Sequence, residues 1–192
     1  MKITGIEVDA VQVTPWAQWI FVQVDTDAGI RGLGEMSQGG KQSGALEKLR
    51  HLEEALRGRD PRHIEQIVYD FTRGNPTAAQ LTALCAVEQA LWDILGKLLD
   101  TPVYRLLGGA ARERIRLYMH GSGIEGVQQA KQLGFTAIKT GPYVDEMVNG
   151  RRTIQRPWNL KRAVNIIEEM RLEAGDDFDI LYDCQTQFKP EM

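Results

Sequence analysis

The stretch from Ala78 to Gly109 constrains the fold of this chain more than any other. Leucines recur in it at helical spacing with other apolar residues between them, so apolar side chains cover more than one face of the predicted helix. A helix with this pattern is buried between two layers. Thr77 and Gln80 have the spacing of an N-terminal capping box, and Pro102 ends the helix. The recurring leucines are Leu81, Leu84, Leu91, Leu95 and Leu98.

A tryptophan and an aspartate, Trp92 and Asp93, stand side by side in this apolar helix. A carboxylate in apolar surroundings needs a partner, because burying it alone is costly. Two partners suit Asp93: the indole N–H of Trp92 or a nearby cation. Both roles are structural, so we expect Asp93 to stabilise the fold.

The composition narrows the class of protein. The 192 residues are 43% hydrophobic and 26% charged, as in an ordinary globular protein of one or two domains. The net charge of -3 without a basic block argues against nucleic acid or an anionic membrane as partner. No apolar run approaches ~20 residues. Cys85 and Cys184 lack disulfide or metal spacing, so we expect a reducing, cytoplasmic setting.

The first half of the chain predicts an α+β domain. Three segments, 2–13, 19–26 and 30–36, have the alternation of strands and form an antiparallel meander. Helices follow it, one with leucines at helical spacing and a second opened by Asp60 and Pro61. The glycine-rich run at 37–43 lacks the spacing of a phosphate-binding loop, which argues against nucleotide binding there.

The pattern changes at Arg112. Alternation from Ile115 to Met119 predicts a strand, and strand–helix–strand–helix–strand spacing then predicts parallel pairing. The loop 141–157 after the second strand is longer than usual, and such loops carry sites at the carboxyl ends of strands. A (β/α)₈ barrel needs about 250 residues, whereas 112–192 supply three strands. We therefore expect a piece of a protein about twice as long, with completion by a partner as the alternative.

The run ALWDILGKLLDTPVYRLLGG at 90–109 and the run GIRGLGE at 29–35 resemble the mandelate racemase and muconate-lactonising branch of the enolase superfamily. The resemblance covers essentially the whole chain. It implies a capping domain over 1–111, followed over 112–192 by the first three strands of a (β/α)₈ barrel. It also implies Mg²⁺, a small carboxylate substrate such as a sugar acid, and a homo-oligomeric parent protein.

The resemblance assigns roles to residues at the predicted strand ends. In the family, three carboxylates hold one Mg²⁺, which stabilises the enolate formed when a base removes the proton next to a carboxylate. Asp183 matches the first of these metal ligands. Lys139 matches the first lysine of a family K-x-K motif and would act electrostatically, because Gly141 stands where the second lysine would be the base. Gln185 stands where several acid-sugar dehydratases have a histidine base.

Further residues are candidates for binding the substrate. His120 ends the first barrel strand before Gly-Ser-Gly, and Gln185 keeps hydrogen-bonding capacity. Trp16 and Lys41 lie in the two capping-domain loops that close over the barrel in this family. A base would have to come from the missing half or from the long loop. The candidates in that loop are Tyr143, Asp145 and Glu146.

Dehydration of a sugar acid is the reaction that these residues favour, because Gly141 argues against a racemase with two bases. Racemisation, epimerisation or cycloisomerisation within the same family is the alternative, and a non-catalytic family member is another. Since one carboxylate binds Mg²⁺ weakly, on the order of millimolar or worse, we expect the chain alone to be inactive.

Overall fold

The computed structural model describes residues 1–14, 17–37, 43–141, 144–148, 151–155 and 160–184. The chain divides into two compact units, Met1–Ala111 and Arg112–Met192. Among the described residues, no helix has the length and apolar character needed to cross a membrane.

The first unit is an antiparallel sheet backed by helices. The strands pair in the order β1–β2–β3, which confirms the predicted meander. They span β1 Ile3–Thr14, β2 Ala17–Thr26 and β3 Arg31–Glu35. The helices span α1 Ser43–Leu56, α2 Ile64–Thr72, α3 Ala78–Leu98 and α4 Val103–Leu106.

Helix α3 lies at the centre of this unit, in contact with β2 and β3 and also with α1 and α2. Its Leu91 and Ile94 are fully buried. The predicted capping box is confirmed: Thr77 Oγ1 accepts from the Gln80 N–H at 3.3 Å, and Gln80 Oε1 accepts from the Thr77 N–H at 2.8 Å. The capping box satisfies two backbone donors at the helix start, and burial on both sides holds the helix in place.

Two glycines let β3 approach α3 closely. A Cβ atom on Gly32 would overlap the carbonyl oxygen of Ala90, and one on Gly34 would overlap that of Ala86. Only residues without a side chain fit at these positions, and the facing helix residues are also small. The GIRGLGE run therefore has a packing function, which accounts for both of its inner glycines.

The polar side of α3 bonds the backbone of β3. Asp93 Oδ2 accepts from the Leu33 N–H at 2.8 Å and from Lys97 Nζ at 2.7 Å. Lys97 Nζ also donates to the carbonyl oxygen of Arg31 at 2.6 Å. Of the two partners expected for Asp93, the structure shows the cation, and it adds the backbone of β3, which the sequence did not indicate.

A third side chain extends this arrangement. Gln89 Oε1 accepts from the Glu35 N–H at 3.1 Å, and its amide donates back to the Glu35 carbonyl at 3.4 Å. We refer to Gln89, Asp93 and Lys97 as the edge ladder. Because β3 is an edge strand, its outward backbone groups would otherwise depend on water.

The predicted start of α2 at Asp60 and Pro61 is wrong by three residues, since the helix begins at Ile64 after the N-cap His63. Asp60 closes a turn instead: its Oδ1 accepts from the Arg62 N–H at 2.9 Å, and its carbonyl accepts from the His63 N–H at 3.2 Å. The carboxylate bonds a backbone N–H two residues on, which is the turn-forming alternative to a helix cap.

The second unit begins the predicted parallel sheet. Its parallel strands pair in the order β4–β5–β8, and β6 and β7 form a separate antiparallel pair. Ile138 of β5 packs with Val127 and Met170 in the core beneath the helices. The elements span β4 Met119–His120, α5 Gly123–Gln132, β5 Ala137–Thr140, β6 Val144–Val148, β7 Arg151–Gln155, α6 Leu160–Ala174 and β8 Asp179–Tyr182.

Two expectations for this unit are wrong. The strand predicted from Ile115 pairs only at Met119 and His120, and Ile115 and Leu117 are 74% and 66% exposed, because β5 offers partners only at that end. The segment 141–157, expected as a loop, contains the β6–β7 pair. The missed signal is the Asn-Gly dipeptide at 149–150, a common hairpin connection between two short strands.

Candidate functional site

The carboxyl ends of three parallel strands bring candidate residues together. His120 is the register partner of Lys139, and Lys139 is the partner of Leu181. The Asp183 N–H donates to the Thr140 carbonyl at 2.8 Å, so the pairing continues one residue past β8. Because side chains alternate along a strand, His120, Lys139 and Asp183 lie on one face, opposite the face that packs on the helices.

An ion pair joins two of these residues. Lys139 Nζ lies 2.9 Å from Asp183 Oδ2, and each side chain is 35% exposed. The hydrogen bond to Asp183 and the negative charge of that carboxylate raise the pKa of Lys139 above its ordinary value, with a smaller contribution from Tyr118. A lysine with a raised pKa is protonated at neutral pH, so Lys139 carries a positive charge in this arrangement.

The other expected site residues divide into two groups. His120 is exposed beside Lys139, at the carboxyl end of β4. Asp145 and Glu146 lie on β6, within the long segment after β5. The remaining candidates lie outside the described residues: Trp16, Lys41, Tyr143 and Gln185.

Among the residues that the structure describes, the donor set at this site is too small for magnesium. Asp183 supplies one carboxylate, and that carboxylate already contacts an ammonium group. Within the described ranges, no three His, Cys, Asp or Glu side chains are grouped so that they could hold a metal ion. Mg²⁺ requires near-octahedral oxygen ligands, so these residues do not fit it by themselves.

Two buried hydroxyls next to the ion pair were missed by sequence reasoning. Thr140 and Tyr182 are register partners at the ends of β5 and β8, and their hydroxyl groups lack hydrogen-bond partners within the described part of the chain. Burial raises the pKa of Tyr182, with a smaller effect from Cys184. The sequence could have indicated these two buried hydroxyls. Thr140 and Tyr182 are polar residues that alternate with the site residues along their strands, so their side chains face the helices.

A cavity of about 390 Å³ on this unit has neither Lys139 nor Asp183 among its described lining residues. Its lining includes Arg116 and Asp179, which form an ion pair at the amino-terminal ends of the strands. Arg116 Nη2 also donates to the carbonyl of Thr136, just before β5, at 2.7 Å. In parallel αβ folds, sites form at the carboxyl ends, so this cavity is not the candidate site.

An antiparallel meander with a buried helix, followed by parallel strands with an acid at one strand end, is the architecture of the enolase superfamily. The family model for the N-terminal domain of mandelate racemase / muconate lactonizing enzyme matches residues 7–108, which is more than half of the chain. The chain belongs to this family.

Relatives carry more specific names. A D-galactonate dehydratase from Klebsiella pneumoniae is 32% identical over the whole of this chain and 50% of its own length. A D-mannonate dehydratase from Caulobacter sp. strain K31 is 31% identical over 96% of this chain and 53% of its own. The chain thus spans about half the length of the curated relatives it matches.

A solved structure shares the fold. The protein, from Burkholderia xenovorans strain LB400, is provisionally described as an L-alanine-DL-glutamate epimerase and is bound to magnesium and fumarate. It superposes with a TM-score of 0.80 at 25% identity, over 95% of this chain and 54% of its own. Dehydratases and an epimerase therefore both occur among the proteins that this chain resembles.

Proposed function

We propose that this chain is the capping domain and first barrel strands of a dehydratase that acts on a sugar acid. The reaction would remove the proton next to the substrate carboxylate and then expel water. Relatives named as galactonate and mannonate dehydratases support this substrate class. Gly141 also supports it, because a racemase with two bases would need a proton-transferring residue there.

The observation that carries the proposal is the Lys139–Asp183 pair at the carboxyl ends of β5 and β8. Asp183 would be the first of several carboxylate ligands of Mg²⁺, the others belonging to the longer parent protein. The protonated Lys139 would face the anionic carboxylate of the substrate, and His120 would hydrogen-bond a hydroxyl group. These three roles need nothing from the amino-terminal end of the sheet.

Residues of the loops would complete the substrate site. We propose that Trp16 and Lys41 contact the sugar acid in the parent protein, and that Gln185 hydrogen-bonds it. A neutral amide does not exchange a proton near neutral pH, so Gln185 would orient the substrate and would not act as the base.

Epimerisation of a carboxylic acid is the second candidate. It starts with the same proton abstraction, and the epimerase among the structural neighbours favours it. It differs in the fate of the intermediate, because the proton returns to carbon and no water leaves. The products distinguish the two reactions: dehydration yields a keto acid, whereas epimerisation yields a diastereomer of the substrate.

The test is an assay of the parent protein, encoded by the reading frame that contains this chain, on a panel of sugar acids with Mg²⁺. We expect a keto acid product and loss of activity in Asp183→Asn. Asp179→Asn is the matched control, since Asp179 lies at the opposite end of the same strand, and it should retain activity. Diastereomers without keto acid, or full activity in Asp183→Asn, would overturn the proposal. The 192-residue chain alone should show no turnover.

A further inference from the structure

Two ion pairs lie at opposite ends of the parallel sheet, and only one of them is at the candidate site. Lys139 and Asp183 pair at the carboxyl ends of β5 and β8, and their side chains are each 35% exposed. Arg116 and Asp179 pair at the amino-terminal ends, where the side chains are 56% and 61% exposed. Both pairs join a cation to an aspartate next to or within β8, but only the first lies where a substrate site is expected.

We infer that Lys139 is a positioning residue that acts as an internal counter-ion for Asp183 and keeps divalent cations from binding to that carboxylate in this chain. The inference rests on the proposed function, which assigns Asp183 to a metal site. Its starting point is the disagreement noted above: the described residues do not form a magnesium site, and yet the key carboxylate already contacts a positive charge.

Electrostatics gives the physical reason. A divalent cation bound to Asp183 would lie within a few ångströms of the Lys139 ammonium, and like charges at that range repel strongly. One carboxylate contributes little affinity for a divalent cation, so the repulsion decides the outcome. Several carboxylates together would outweigh one ammonium. Lys139 therefore lowers the affinity of Asp183 for a divalent cation unless further anionic ligands are present. In the absence of the cation, the ion pair holds Asp183 in one orientation.

The counter-ion role also links Asp183 to the substrate. An anionic group placed beside Lys139 would compete with Asp183 for the ammonium, because both are negatively charged. His120, the register partner of Lys139, lies at the same strand ends. The lysine would thus be shared between Asp183 and the substrate carboxylate that the proposed function assigns to it.

The experiment is a titration of the 192-residue chain with Mn²⁺, in which electron paramagnetic resonance measures the unbound ion. We expect Lys139→Met to bind Mn²⁺ on the order of tenfold more tightly than the unmodified chain, through removal of the repelling charge. Adding Asp183→Asn to that variant should remove the gain. Lys139→Arg should bind as weakly as the unmodified chain, because a guanidinium also pairs with a carboxylate.

Arg116→Met is the matched control, since it removes one positive charge beside Asp179 on the same sheet. It should change Mn²⁺ affinity by much less than Lys139→Met. An equal gain in Arg116→Met, a gain that survives Asp183→Asn, or no gain in Lys139→Met would each overturn the inference. If circular dichroism shows Lys139→Met to be unfolded, Lys139→Gln replaces it with the same expectation.

These results are separable from the test of the proposed function. Mn²⁺ binding is measured on the chain alone and requires no turnover. A gain in Lys139→Met together with a parent protein that produces no keto acid would retain the counter-ion role and reject the dehydratase. The reverse pattern would retain the dehydratase and reject the counter-ion.

Discussion

Two edge strands, β3 in the first unit and β8 in the second, differ in whether side chains bond their outward backbone groups. The edge ladder of α3 bonds the backbone of β3 at Arg31, Leu33 and Glu35. Among the residues that the structure describes, no side chain hydrogen-bonds the backbone of β8. Both strands are short, of five and four residues, so length does not explain the difference.

The position of the helix explains it. Gly32 and Gly34 bring α3 so close to β3 that polar side chains of the helix reach past the strand to its outer edge. In the second unit, α5 and α6 pack on a face of the sheet, where Val127 and Met170 meet Ile138 of β5. Within the described ranges, no side chain of these helices bonds the backbone at the edge of β8. A helix that connects two parallel strands covers a face of their sheet. A helix that packs along an edge strand can also hydrogen-bond the outer backbone groups of that strand.

The largest expected effect tests the helix that closes the first sheet. Leu91 is fully buried in α3, and Leu91→Ala should lower the free energy of unfolding by roughly 2–5 kcal/mol, because it leaves a cavity. Leu98→Ala is the control, since Leu98 is 42% exposed on the same helix. Urea denaturation followed by circular dichroism measures both. A cost below ~1 kcal/mol for Leu91→Ala would contradict a central α3.

A somewhat smaller effect tests the close approach of strand and helix. Gly34→Ala places a Cβ against the carbonyl of Ala86, and the resulting overpacking should cost about 1–3 kcal/mol or more. Gly5→Ala is the matched control on β1, where a Cβ meets Glu53 Oε1 only at 3.8 Å. If thermal denaturation shows equal melting temperatures for the two variants, the approach of β3 to α3 is looser than described.

The edge ladder itself is tested by Asp93→Ala. The change removes the acceptor of the Leu33 N–H and the partner of Lys97, and should cost about 1–2 kcal/mol. Hydrogen exchange at the Leu33 amide is the specific readout and should become faster. Asp93→Asn keeps an oxygen acceptor, so it should slow that exchange relative to Asp93→Ala. An unchanged exchange rate at the Leu33 amide in Asp93→Ala would show that this N–H bonds water and not Asp93.

The smallest effect tests the sheet face beside β8 in the second unit. Leu181 is exposed on the face that carries Lys139, and Leu181→Lys should reduce self-association and binding of an apolar dye. Leu33→Lys on the first sheet is the matched control, because Leu33 is 49% exposed against 42% for Leu181, and it should change self-association and dye binding less. Sedimentation velocity and dye fluorescence measure the two properties. A monomer that binds no dye before the change would contradict the contrast between the sheets.

Sequence reasoning succeeded where local patterns are strong. The period of the leucines and the Thr77–Gln80 pair predicted α3 and its start, and alternation predicted the meander. It failed at β4, because alternation in Ile115 and Leu117 shows capacity for a strand, while a strand also needs a partner in register. It missed the edge ladder because polar residues four apart on a helix look like an ordinary solvated stripe.

The candidate site was partly accessible from the sequence. Strand-end positions for His120, Lys139 and Asp183 followed from the predicted parallel order, and the structure brings Lys139 and Asp183 into contact. The contact itself depends on the register of β5 and β8, which no local pattern specifies. The roles of Trp16 and Lys41 stay predictions, because these residues lie outside the described part of the chain.

The length of the edge ladder is limited because its steps along the helix and along the strand are unequal. Its hydrogen-bonding side chains advance four residues along α3, about 6 Å, and two residues along β3, about 6.8 Å. The difference of roughly 0.8 Å per step adds up along the two elements, and side chains of different length compensate for it. The longest side chain, Lys97, stands at one end and the short Asp93 in the middle. If β3 were longer, further side chains of the helix would no longer reach its backbone. A straight helix can therefore hydrogen-bond the edge of a strand over only a few residues.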